Sequence, residues 1–212
     1  MSAEPRPINH SLQCRFADRL ASSPNICKGI AIFTRCLFLV LLLLSPSIAA
    51  AGDNPELRAI KEADQADRQS SPAPENWRAV MQRDGERRNR VLEILKEGQL
   101  KTAWDYFNAA IVLQHGSSAE DIRLAHSLST IAITLDPEHK RAKWLVAASW
   151  DRLMLRFEQP QWYGTQSVRD ASGKFSLYPV DPNAVTDADR VALGVPTLAE
   201  AQARAESRNG SR

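Results

Sequence analysis

Beyond residue 52, apolar residues recur every three or four positions over most of the chain, and each such stretch is bracketed by cap and stop residues. Asn54-Pro55 reads as an N-cap followed by a first-turn proline and predicts a helix to about Gln69. Ser70-Ser71-Pro72-Ala73-Pro74 predicts a stiff connector. A second helix is expected from Glu75 to Glu97, closed by Gly98, and a third from Leu100 to Gln114, ended by Gly116. Ser117-Ser118-Ala119-Glu120 has the spacing of a capping box and opens a fourth, ending near Leu135. Asp136-Pro137 again reads as cap and first-turn proline, for a fifth helix to about Phe157.

After Pro160 the periodicity changes. Gln161 to Pro182 is polar-aromatic and extended, and the turn signal Asp170-Ala171-Ser172-Gly173 before Lys174 to Tyr178 predicts a small hairpin. Thr186 opens a short helix stopped at Gly194, Thr197-Leu198-Ala199-Glu200 caps a last one, and residues 207–212 read as a disordered tail. The fold class expected is mainly all-α: a compact helical bundle with tetratricopeptide-like hairpins and a small extended segment near the C-terminus. The repeat-like reading rests on Ala125, Ala132 and Leu135-Asp136-Pro137, with Trp144, Ala147 and Trp150 suiting a following first helix. About one and a half repeats can be drawn, fewer than a solenoid needs to bury its faces.

The N-terminal pattern is of another kind. Cys36 to Leu44 is an unbroken apolar run, flanked by Lys28 and Arg35 and followed by Ser45-Pro46-Ser47 and Ile48-Ala49-Ala50-Ala51. That order of charge, apolar run and small residues is the order of a secretory signal. The run falls short of the ~20 apolar residues of a membrane span, so no stable span is expected after cleavage. The expected organisation is therefore 1–51 as extension and signal peptide, 52–206 as a single helical domain and 207–212 as tail. The expected location is periplasmic or secreted, with an uncleaved membrane anchor as the alternative.

Removing the leader changes the composition. Cys14, Cys27 and Cys36 all precede the cleavage region, so the mature chain has neither a disulfide nor a thiol nucleophile. Five of the 27 basic and two of the 25 acidic residues leave with it, so 22 basic residues face 23 acidic ones. A near-neutral chain offers no electrostatic case for a nucleic-acid partner or an anionic membrane surface.

Candidate chemistry lies where charges interrupt apolar stripes. Asp64 and Arg68 follow Leu57 and Ile60; Asp84 and Arg88 share a face with Trp77, Met81, Val91 and Leu95; Asp151, bordered by Arg152, falls among Trp144, Ala148 and Leu155. A buried carboxylate needs a partner or a solvated cleft. Asp64–Arg68 and Asp84–Arg88 have i,i+4 spacing and could pair within their own helices. Such pairs are more often struts than catalytic groups, although three interruptions on three helices could also converge on one polar pocket. His115, at a helix end before Gly116, is the histidine best placed for proton transfer, or it only caps the helix. No histidine has metal-ligand spacing, so neither metal nor cofactor is expected. Gln161-Trp162-Tyr163-Gly164-Thr165-Gln166 reads equally well as a recognition loop or as a packing lid.

These positions also carry a family resemblance. Asp64-Gln65 with Arg68, Arg83-Asp84 with Arg87, His115-Gly116, Asp151-Arg152, Gly164-Thr165-Gln166, and Asp187 with Arg190 before Gly194-Val195-Pro196 occur in that order. In this the chain, from about Ala59 to Leu198, resembles an uncharacterised bacterial family classed as domain of unknown function 6624. The resemblance implies a shared fold and a shared candidate site and supplies no reaction.

Two functional classes follow. The favoured one is a periplasmic or secreted binding module for a peptide, a glycan such as a cell-wall fragment, or a partner protein, with Asp64, Arg68, Arg87, Arg152, Trp162, Tyr163, Thr165 and Gln166 as ligand-binding candidates. The alternative is an envelope hydrolase or lyase in which His115 is general acid or base, Asp84 or Asp151 orients it and Gln166 holds substrate.

Overall fold

The computed structural model describes residues 52–69 and 76–209. Among the described residues the chain is mainly helical, with packed helices. α1 (Pro55–Gln69), α2 (Trp77–Lys96), α3 (Ala103–Leu113), α4 (Ala119–Leu135) and α5 (Lys140–Arg156) come first. A two-stranded antiparallel hairpin, β1 (Ser167–Arg169) and β2 (Phe175–Leu177), and the short helices α6 (Asp187–Ala192) and α7 (Leu198–Ser207) complete the element order. The expected signal segment, the proline-rich connector and residues 210–212 of the expected tail fall outside the described residues.

Local sequence accounts for most boundaries. The Asn54 carboxamide accepts from the backbone N–H groups of Glu56 and Leu57, as an N-cap does. α2 ends at Gly98, whose φ of +66° is the left-handed conformation that glycine adopts without a Cβ penalty. Thr102, Thr186 and Thr197 each form a full capping box, so α3 starts at Ala103 and not at Leu100. Two other starts differ from expectation. Ser118 caps α4 by accepting from Asp121 N–H, three residues on. Asp136 ends α4 instead of opening α5, which is capped by His139: its Nδ1 accepts from Ala142 N–H at 3.2 Å.

α4 packs against both α3 and α5, while α1 and α2 lie against α3, so α3 is the central helix. Its residues Phe107 and Ala109 to Leu113 are all buried, with Leu57 of α1, Val91 and Ile94 of α2, Ala125 and Leu128 of α4, and Leu145 of α5 around them. The buried stripe of α2 is Val80, Asp84, Val91 and Ile94; Trp77 and Met81 are 52% and 67% exposed. Apolar side chains occupy two adjacent stripes of this helix that share Asp84 and Val91, and only the position of α3 selects between them. β2 packs on α7.

Candidate functional site

Asp64 lies on the α1 face turned towards α3 and has no exposed surface. Its carboxylate accepts from Arg68 Nη1 at 2.9 Å and from Gln65 Nε2 at 2.8 Å. His115, just past the end of α3, places Nδ1 at 3.0 and 3.1 Å from the two Asp64 oxygens. A carboxylate already paired with a guanidinium acts as acceptor, so Nδ1 carries a proton, and the lone pair of the imidazole form of the ring lies on Nε2. Nε2 has no protein partner among the described residues, and the side chain retains 14% exposure. The result is a carboxylate–imidazole pair with one outward-facing nitrogen.

The same network continues into α2. Arg68 Nη2 donates to Asp84 at 2.7 Å, Arg87 bridges Asp84 and Asp67 at 3.1 and 2.7 Å, and Arg83 forks onto Asp67 at 2.8 and 3.0 Å. Hydrogen bonds from Arg83 and then Arg87 hold the Asp67 pKa down at about 2. Asp84 therefore serves Arg68 and Arg87, and the carboxylate on His115 is Asp64, neither Asp84 nor Asp151. Nor does Arg88 pair with Asp84; its Nε lies 3.6 Å from Asp121 on α4. A Cβ on Gly116 would overlap that same Asp121 side chain, which is why the chain behind His115 carries glycine.

Asp151 has a different task. It is fully buried and accepts from the backbone N–H groups of Trp162, Tyr163 and Thr165 and from the Thr165 hydroxyl, all at 2.8–2.9 Å. Gln161, also without exposed surface, ties down the other side of the loop by donating to the Gln166 and Tyr178 carbonyls and accepting from Gln166 N–H. Buried Arg190 donates to the Trp162 and Tyr163 carbonyls. Trp162 packs at a tilt against Trp150, centroids 4.6 Å apart, and burial, with the Asp151 charge behind it, raises the Tyr163 phenol pKa. The polar groups of the 161–166 loop are thus largely spent on holding it in place.

Trp144, Ala148 and Arg152 follow one another at i,i+4 and share a face of α5. Gln166 Nε2 reaches the Ala148 carbonyl at 3.4 Å, and Arg152 Nη1 donates to the Gln114 carbonyl at 3.0 Å. At one end of the face, 39%-exposed Trp144 lines a recess with Gln65, Phe107 and Gly194, and a second with Gly164, Thr165, Arg204 and Arg208. At the other, Arg152 and Arg156 line a cleft of about 410 Å³ with Gly116, Ser117, Ile122 and Leu155. Asp64 links the two ends, through Gln65 in the recess and through His115, whose chain neighbour Gly116 lines the cleft.

Of the residues picked out from sequence, Asp64, Arg68, Asp84, Arg87 and His115 therefore meet in one network, with Arg152 close enough for the Arg68 charge to depress its pKa. Asp151, Trp162, Tyr163 and Thr165 belong to the loop's own scaffold. The sequence placed Gln161 in the 161–166 loop and Arg190 in an Asp-x-x-Arg motif without giving either its role as a brace of that loop. Ser117 and Arg156 were not singled out as site residues, and no local signal marks them. Comparison with protein-family models, with curated proteins and with solved structures finds no match to the chain.

Proposed function

We propose that this is an exported acid–base enzyme, a hydrolase or lyase acting on a polar envelope substrate, with His115 transferring the proton and Asp64 as its positioning residue. The observation that carries the reading is the placement of His115 Nδ1 on the unexposed, doubly braced Asp64 carboxylate, with Nε2 left outward. In this arrangement Nε2 takes a proton from water, or from a carbon beside an electron-withdrawing group. The imidazolium so formed is stabilised by the Asp64 charge. It then returns the proton to the departing atom, which leaves the imidazole as it began. The resemblance to domain of unknown function 6624 implies no reaction, so the reading rests on geometry alone. Export rests on the apolar run and small residues of the leader.

The test is a turnover screen of the purified mature chain against ester, amide, glycosidic and phosphoester substrates, followed by variants. His115→Ala is expected to lose about 10²-fold or more in kcat, and Asp64→Asn to lower kcat with KM little changed. An activity that survives intact in His115→Ala removes the assignment.

A second reading, a binding module for a peptide, cell-wall fragment or partner protein, is favoured by one observation: half-exposed Trp144 is shared by two recesses. It predicts that a soluble cell-wall fragment quenches tryptophan fluorescence saturably without being consumed. Trp144→Ala should abolish the quenching, and so should Trp162→Ala if the 161–166 loop also contributes.

A further inference from the structure

Among the described residues, three carboxylates, Asp64, Asp67 and Asp84, face three guanidiniums, Arg68, Arg83 and Arg87, so their ion pairs beside His115 balance in charge. Arg152 stands outside that balance. Its Nη1 donates to the Gln114 carbonyl, its Nε is buried without a partner, and it makes no ion pair among the described residues. Burial, and then the nearby Arg68 charge, lower its pKa, yet a guanidinium stays protonated throughout the physiological range. A half-buried guanidinium near another cation, with an enclosed Nε that lacks a partner, calls for an anion.

The surroundings of Arg152 suit one. Arg156 lies one turn further along α5, lines the same cleft and also makes no ion pair among the described residues. Glu158 is the single acidic residue lining the cleft and pairs with neither arginine, so the walls carry one positive charge in excess. Ser117 offers a hydroxyl at the rim, and Ile122 with Leu155 forms an apolar wall for the carbon part of a ligand. About 410 Å³ admits a small molecule or one unit of a polymer. Gly116, which lines the cleft, directly follows His115.

We propose that the Arg152–Arg156 cleft binds an anionic group of the substrate, a carboxylate or a phosphate, held by Arg152 Nη2 and the Arg156 guanidinium. As a substrate site this rests on the acid–base reading of His115; as an anion site it does not. With Nη1 on the Gln114 carbonyl and Nε enclosed, Nη2 is the Arg152 donor left for either oxyanion, and the partly desolvated position strengthens the contact.

The experiment titrates the purified protein with inorganic phosphate and, separately, with sodium acetate. Chloride holds the ionic strength constant, and the arginine Nε resonances and the heat of binding are followed. The expected result is saturable binding with the Arg152 Nε resonance among those that move. Affinity should fall about tenfold or more in Arg152→Lys and in Leu155→Glu, and be kept in His115→Ala. The better-bound probe says whether the group is phosphate or carboxylate. The proposal is overturned if neither probe saturates, if chloride binds equally well, or if both variants bind as the wild type does. Should a variant fail to fold by circular dichroism, the wild-type response at Arg152 decides alone. Intact anion binding with activity indifferent to His115→Ala would sink the acid–base reading and leave the anion site; the converse would do the reverse.

Discussion

A carboxylate with no exposed surface is tolerated as an anion only where several donors replace the lost water. Asp64 meets that condition through Arg68, Gln65 and His115. Asp64→Asn turns an acceptor into a donor amid three donors, and we expect a loss of about 3 kcal/mol in urea unfolding; a loss under about 1 kcal/mol would mean that the donors find other partners. His139 poses the opposite problem. Its Nδ1 must stay unprotonated to accept from Ala142 N–H, and the ring lies against Trp104 and Phe107 at 4.2 and 5.0 Å. Burial, with a smaller contribution from Arg141, holds its pKa below the ordinary 6.5, and burial does the same to His126. With the folded pKa lowered, the unfolded chain binds the extra proton first. Stability is therefore complete above pH ~6.5 and falls as pH drops towards the lowered folded values. Urea midpoints between pH 7.5 and 5 should fall on acidification, and less steeply in His139→Asn, which keeps a cap acceptor. Equal slopes would clear His139 of the effect.

At the scale of elements, two segments depend on single residues elsewhere. The 161–166 loop is organised around the Asp151 carboxylate, whose four donors all come from residues 162–165. In Asp151→Ala those donors lose their acceptor in a buried place. Hydrogen exchange at the Trp162, Tyr163 and Thr165 amides should rise sharply while α3 and α4 keep their protection. Unchanged exchange there would show that Gln161 and Arg190 hold the loop without it. The α3–α4 turn depends on Gly116. Gly116→Ala pushes a methyl group into the Asp121 side chain, and we expect a cost of about 1–3 kcal/mol, read as a lower midpoint of thermal unfolding. That displacement would also disturb His115, so the variant should lose activity at temperatures where it remains folded.

For the molecule as a whole, the core is concentrated around α3, with α1, α2 and α4 against it and α5 behind α4. The hairpin, α6 and α7 add few core side chains, chiefly Val195, Ala201 and Ala205. Native-state hydrogen exchange in low denaturant should therefore open α7 and the hairpin before α3 and α4. Protection that vanished everywhere at one denaturant concentration would instead mark a single cooperative unit. The proposed export, with 1–51 removed as extension and signal, predicts a mature protein that begins near Gly52. Intact mass of material recovered outside the cytoplasm checks this, and a mass that includes Met1 would contradict it.

Much of this was legible in the residues themselves, because caps, stops and turns are short-range chemistry. Asn54, Gly98, Ser118, Thr186, Thr197 and the Asp170 turn act within four or five residues, and each marks an element end in the fold. The interrupted apolar stripes likewise pointed to Asp64, Asp84 and Asp151 as buried charges, since a carboxylate among core residues announces its own cost. Their partners were not legible. Asp64 and His115 are 51 positions apart, Arg68 and Asp84 are 16, and no local rule chooses between Asp64, Asp84 and Asp151 for one imidazole. That choice is made by how α1, α2 and α3 pack. The same packing sent Asp151 to a loop and Arg88 to Asp121, and left Arg152 half-buried with no carboxylate partner among the described residues.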